Sequence, residues 1–190
     1  AGCSSDSGST ESSASPSAES SAAQGDGTLK IGTLLPQTGS LAFLGPPEFA
    51  GVDLAVQEIN DAGGVNDQPV ESVVGDSGDT STNIASQTVD RQLSQGVDAI
   101  IGAASSAVSL TVIDKITSAG VQQVSPANTS PEFSTYPDKG LYARTAPPDT
   151  FQGQVLGDLV AGDGNTTAAI LALDDAYGTG LADNVEKAFT

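Results

Sequence analysis

The stretch GVDAIIGAASSAVSLTVIDKITSAG, residues 96–120, decides the fold. GVDAIIG (96–102) is a short apolar run of strand length. AVSLTVIDKITSAG (107–120) puts Val108, Val112, Ile113 and Ile116 on one helical face, and Gly120 ends it. Between the two, every large side chain disappears. Gly102, Ala103, Ala104, Ser105 and Ser106 present little but backbone and two hydroxyls. In open parallel sheets, ligands sit beyond the carboxyl ends of the strands. A strand that hands over to a helix through bare backbone suits that position.

The same beat continues on either side. LKIGTLL (29–35) reads as a strand stopped by Pro36, and residues 49–60 as a helix with Phe49, Val52, Val56 and Ile59 inward. PVESVVG (69–75) is a second strand, and Asp79 or Ser81 caps a helix through Leu93. GVQQVSP (120–126) is the fourth strand. Strands alternating with helices imply right-handed crossovers, so the fold class is α/β with a parallel sheet flanked by helices. After a turn-rich stretch at 127–140, LYARTA (141–146) is a short strand and PPDT caps a helix at 149–161. TAAILAL (167–173) reads as a strand, and residues 179–189 as a last helix.

The expected organisation has three parts: a Ser-rich tether at 1–27, a first α/β ligand-binding lobe at 28–146, and the beginning of a second at 147–190. A lone helix–strand–helix leaves a sheet edge unpaired. The sequence is therefore expected to be part of a longer, two-lobed protein.

Composition narrows the function. The first 27 residues hold ten serines, four acids and no large apolar residue, too little to offset the entropy of ordering. A formal charge of -18, from 24 acids against 6 bases, disfavours nucleic acid and anionic lipid as partners. Histidine is absent, which removes the commonest general base and metal ligand. No nucleophile–base pair is visible, so no enzyme activity is expected. Neither GxGxxG nor GxxxxGK[ST] occurs, and a calcium loop starting at Asp76 fails because position 87 is Gln87. No cofactor or metal is expected.

Cys3 is the only cysteine. AGCSS at the start resembles the end of a bacterial lipoprotein signal, where the cysteine after a small-residue box is lipidated. On that reading Cys3 carries the acyl chains and anchors, to the outer face of the cell membrane, a domain with no membrane affinity of its own.

Four loops meet where the strands end: TGSLAFLG (38–45), GDSGDTST (75–82), GAASS (102–106) and SPANTS (125–130). The first offers Leu41, Phe43 and Leu44 as an apolar wall. Ser105 and Ser106 stand at a helix start, where unpaired N–H groups receive anions. Thr129 adds a hydroxyl and an N–H, while the carbonyls of Ala127 and Asn128 can accept from an ammonium group. Such a set suits a small zwitterion, although a serine at a helix start more commonly only caps it.

The ordered set IGTLLPQTGSLAFLG, GVDLAVQEINDAGGV, VDAIIGAASSAVS, QQVSPANTSPEF, YARTAPPDTFQG and LDDAYGTGLA resembles the branched-chain amino-acid binding proteins of ABC importers. These are extracytoplasmic receptors of the type I periplasmic-binding fold. The resemblance runs from about 29 to 190. It implies a clamshell that closes on a small ligand and delivers it to permease subunits. It places Ser106 and Thr129 on a ligand carboxylate, with Ala104 and the Asn128 backbone lining the site, and Tyr177 closing from the second lobe. Leu44 stands where some relatives carry an aromatic, which leaves the side-chain preference open. Amino acid, amide, urea and aromatic acid all remain possible ligands. A ligand-sensing receptor of the same fold is the alternative function.

Overall fold

The computed structural model describes residues 25–189; the tether reading over 1–24 and the lipidation of Cys3 lie outside them. Five strands form one parallel sheet: β1 (Lys30–Leu34), β2 (Glu71–Val73), β3 (Ala99–Gly102), β4 (Gln122–Ser125) and β5 (Tyr142–Arg144). Their order is β2-β1-β3-β4-β5. The chain winds outward in opposite directions from β1 and β3, so the switch point lies between these two strands. Leu34 there sits opposite Gly102 at the ends of their strands. Short aliphatic runs become strands here because both faces of the central ones are covered: Leu34 and Ile100 are wholly buried.

Among the described residues the α-helices are α1 (Gly45–Asp61), α2 (Ile84–Ser94), α3 (Ser106–Ser118), α4 (Asp149–Gly162) and α5 (Gly178–Phe189). The α3 face read from the sequence is the one buried, with Val108, Val112, Ile113 and Ile116 at or below 1% exposure. Val108, Val112 and Ile116 join Val89 of α2, Leu34 and Ile100 in one apolar cluster. Each such side chain contributes roughly 1.5–3 kcal/mol of transfer free energy. Two glutamines are buried among them. The Gln92 amide donates to the Thr33 and Val73 carbonyls at 2.8 and 3.1 Å, tying α2 across β1 and β2. The Gln123 amide donates to the Gly102 carbonyl at 2.9 Å.

Several boundaries differ from the sequence reading. α1 begins at Gly45, with Pro46 and Pro47 in its first turn, where the missing N–H has no acceptor to lose. The structure also corrects the cap of α2. Its N-cap is Asn83, without a side-chain bond, while the Asp79 carboxylate accepts the Ser81 N–H and hydroxyl and the Ser40 N–H. Asp79 closes a turn and ties two loops together instead of capping. The strand expected at 167–173 does not form. An isolated extended segment has no ladder to hold it, and Leu171 there is fully exposed.

Candidate functional site

Beyond the carboxyl ends of β1, β3 and β4 lies a cavity of about 330 Å³. It takes Leu44 and Leu41 from the loop after β1, and Gly78, Asp79 and Thr80 from the loop after β2. Ala104, Ser105, Ser106 and Ala107 come from the β3–α3 junction, and Ala127 and Thr129 from the loop after β4. Gln152 of α4 and Leu173, Asp175 and Tyr177 close the other side. Seven of the eight ligand-binding positions named from the sequence thus line one cavity: Leu44, Ala104, Ser105, Ser106, Ala127, Thr129 and Tyr177. A larger groove of about 830 Å³ runs between α4, α5 and residues 167–173. Its lining is mostly aliphatic and brings no set of polar groups together, so the smaller cavity carries the chemistry.

The eighth residue, Asn128, is elsewhere. Its side chain is wholly buried, donating to the carbonyls of Ala103 and Ala104 at 3.1 and 2.9 Å and accepting from the Tyr142 hydroxyl at 2.9 Å. Its N–H donates to the Ser125 hydroxyl oxygen at 2.9 Å. Asn128 holds the β4 loop against the β3 loop, and its side chain stays behind the cavity wall. Tyr142 in turn stacks on Phe133 with ring centroids 4.7 Å apart, and burial pushes its phenol well above its ordinary pKa.

The bare stretch after β3 has two separate causes. Gly102 has φ +132°, and a Cβ there would overlap the Leu34 carbonyl oxygen, so only glycine fits. Ala103 and Ala104 form a hydrogen-bonding hub. The Ala103 carbonyl accepts from the Ser125 hydroxyl at 2.7 Å, from Asn128 at 3.1 Å and from the Ser109 hydroxyl at 3.3 Å. The Ala103 N–H donates back to Ser109 at 3.1 Å. The Gly102–Ala103 peptide bond is cis.

The two serines then divide their work. Ser105 is the N-cap of α3, its hydroxyl oxygen accepting the Val108 N–H at 3.3 Å. The Ser106 oxygen accepts the N–H groups of Thr129 and Ser130, both at 3.3 Å. A hydroxyl that already accepts two N–H groups meets a ligand as a donor. At the neighbouring helix mouth, the first-turn N–H groups have no intrahelical acceptor and add positive potential.

Thr129 differs from its expected role. Its hydroxyl donates to the Asp149 carboxylate at 3.0 Å, so that proton is not aimed at a ligand carboxylate. Asp149 is a residue the sequence reading missed as a site component. The PPDT stretch reads as a helix cap, but Pro148 is the N-cap of α4, and the Asp149 side chain turns inward and is wholly buried. Burial raises its pKa, against the lowering effect of the Thr129 hydroxyl and the Arg144 charge. Gln152, one turn further along, was also missed; a polar residue on an amphipathic helix carries no mark of facing a cavity. Among the described residues no Lys or Arg lines the cavity, whereas Asp79 and Asp175 do. A carboxylate in it would meet neutral donors, and a cation would find acids within reach.

On the far side, the Asp175 carboxylate accepts the N–H groups of Tyr177 and Gly178 at 3.0 and 2.7 Å and so caps α5. That places Tyr177 at the cavity wall while leaving it 38% exposed. In the loop after β2 the Asp76 carboxylate accepts the N–H groups of Gln37, Thr38 and Gly78 and the Thr38 hydroxyl, tying that loop to the one after β1. Partial burial alone would raise its pKa, but these four donors hold it below the ordinary value.

Comparison with known proteins gives this arrangement a lineage. The periplasmic binding protein family matches residues 28–190. The chain belongs to that family. It is 32% identical over 162 residues to the leucine-, isoleucine-, valine-, threonine- and alanine-binding protein of Pseudomonas aeruginosa, covering 84% of this chain and 43% of the relative. Among solved structures, it is similar to the leucine-binding protein LivK of Thermotoga maritima. That match has a TM-score of 0.74 at 25% identity, over 85% of this chain and 45% of the other. It is also similar to LivJ of Streptococcus pneumoniae in complex with isoleucine, with a TM-score of 0.70 at 27% identity, over 86% and 47%. The branched-chain resemblance and the parallel α/β fold read from the sequence agree with these matches. The chain spans less than half the length of the curated relatives it matches.

Proposed function

We propose that this periplasmic-binding chain is the ligand-recognising part of an ABC-importer receptor for a small amino acid or a related carboxylate. The observation that carries the reading is the pairing of Ser106 at the start of α3 with a cavity that holds acids and no cation. A carboxylate is received at Ser106 and the helix mouth by neutral donors. An ammonium group is received on the side of Thr129 and the Ala127 carbonyl. Tyr177 meets the ligand from the side of α5, and closure over the ligand stabilises the state competent for delivery to permease subunits. Residues 28–146 form the first ligand-binding lobe and residues 147–190 begin the second. Lipidation at Cys3 holds the receptor at the outer face of the membrane.

Calorimetric titration of the full-length protein with L-leucine, L-isoleucine, L-valine and L-alanine tests this. Binding of at least one in the micromolar range is expected. Ser106→Ala weakens it by roughly 1–3 kcal/mol, as for a hydrogen bond to a charged group. Absence of binding to any of the four at millimolar concentration, or unchanged affinity in Ser106→Ala, refutes the assignment.

A further inference from the structure

Thr129 lines the cavity, yet its hydroxyl proton is held from behind. A threonine hydroxyl has one proton and two lone pairs. An ionised carboxylate only accepts, so the 3.0 Å contact from Thr129 Oγ1 to Asp149 Oδ2 fixes the direction of that proton. The two residues are joined a second time, the Asp149 N–H donating to the Thr129 carbonyl at 2.8 Å. Asp149 cannot swing away into water, being wholly buried, and its Oδ1 has no hydrogen-bond partner among the described residues. A buried carboxylate with one oxygen bound and the other unpaired is costly for stability alone. Its orientation toward a cavity residue suggests that it is kept for what it does to Thr129.

We propose that Asp149 is a positioning residue that sets the polarity of the site. By taking the Thr129 proton it turns the lone pairs of Thr129 Oγ1 to the cavity, so that this end accepts only from ligand donors. The inference rests on the amino-acid reading above and deepens it. Ser106 and Thr129, two hydroxyls that look interchangeable, carry opposite polarity. Ser106 accepts two backbone N–H groups and therefore donates to the ligand; Thr129 donates to Asp149 and therefore accepts from it. The pair reads the direction of a zwitterion and discriminates against an acid that lacks the amino group.

The probes are L-leucine and 4-methylpentanoate, the same carbon skeleton without the amino group, titrated into the full-length protein. The parent is expected to favour leucine. In Asp149→Asn the new amide can donate to Thr129 Oγ1, releasing the hydroxyl proton toward the ligand. The ratio of leucine to 4-methylpentanoate affinity then falls about tenfold, chiefly through weaker leucine binding. Equal loss for both ligands, which is what a merely structural role produces, overturns the proposal, as does an unchanged ratio. A second measurement stands apart from ligand choice and from the folding of the variant. Neutron diffraction of the deuterated parent shows the Thr129 deuteron pointing to Asp149 if the proposal holds, and into the cavity if it does not. Parent protein that binds neither probe refutes the amino-acid reading, and the deuteron position still decides the role of Asp149.

Discussion

Residues 28–146 and residues 147–189 are built to different standards of closure. The first region buries Leu34, Leu35, Val89, Ile100, Val112, Ile113 and Ile116 completely. In the second, the buried helical residues are Asp149, Gly153 and Gly157 of α4 and Gly178 of α5, with no large aliphatic among them. α4 and α5 pack through glycine: a Cβ on Gly153 would meet Asn184, and one on Gly157 would meet Ala188, both at 2.5 Å. The large apolar side chains of α4 face outward instead, with Phe151 at 63%, Val155 at 53% and Leu159 at 58% exposure. Stability is therefore concentrated in the sheet and its helices, and the cavity lies where the two regions meet.

The contrast can be broken most directly by core truncation. Ile116→Ala should cost about 2–5 kcal/mol in urea unfolding, the usual range for an aliphatic deletion in a closed core. Leu159→Ala should cost less than about 0.5 kcal/mol, as for an exposed site. Comparable losses at the two positions would show that both regions are equally packed.

Two carboxylates sharpen the comparison through pH. Asp76, in the first region, titrates below its ordinary 3.8 because donors surround it. It therefore contributes stability above that value, and loses it as pH falls through its folded pKa. Asp149, in the second, titrates above 3.8 because of burial. Its ionisation withdraws stability as pH rises through the folded pKa, and the loss is recovered on acidification toward 3.8. Asp76→Asn should therefore cost roughly 1 kcal/mol at pH 7 and progressively less under acid. The stability gap between parent and Asp149→Asn should shift in the parent's favour as pH falls from 7 toward 4. Urea midpoints across pH 3.5 to 7 measure both slopes, and slopes of the same sign would contradict the opposite environments.

The smallest effect concerns the exposed face. Leu171→Ser, at a fully exposed position, should leave the unfolding midpoint within about 0.5 kcal/mol of the parent. A larger loss would mean that residues 167–173 are covered in solution.

Much of the fold was legible in sequence because aliphatic spacing reports directly on burial. The α3 face and the strands at 30–34 and 99–102 follow from it. Gln92, Gln123 and Asn128 were not legible as interior residues. Their amides serve strand and loop carbonyls brought close only by the folded sheet, and residue type alone places them at the surface. The run at 167–173 misled for a related reason, since apolar composition shows what a segment could pair with and not whether a neighbouring strand is present. In the site, small residues and hydroxyls at the strand ends located the cavity. The direction of each hydroxyl proton depended on partners some 20 residues away, such as Thr129 and Asp149, and no local pattern encodes that.

The Ala103 carbonyl, which gathers the Ser125, Asn128 and Ser109 side chains, makes the β3 and β4 loops a single mechanical piece. Leu44, Gln152 and Tyr177 border the same cavity without belonging to that knot. Under the proposed function, a change at one of these rim residues alters the cavity wall without breaking any bond of that frame. The fold thus keeps the rim of the cavity separable from the bonded frame behind it.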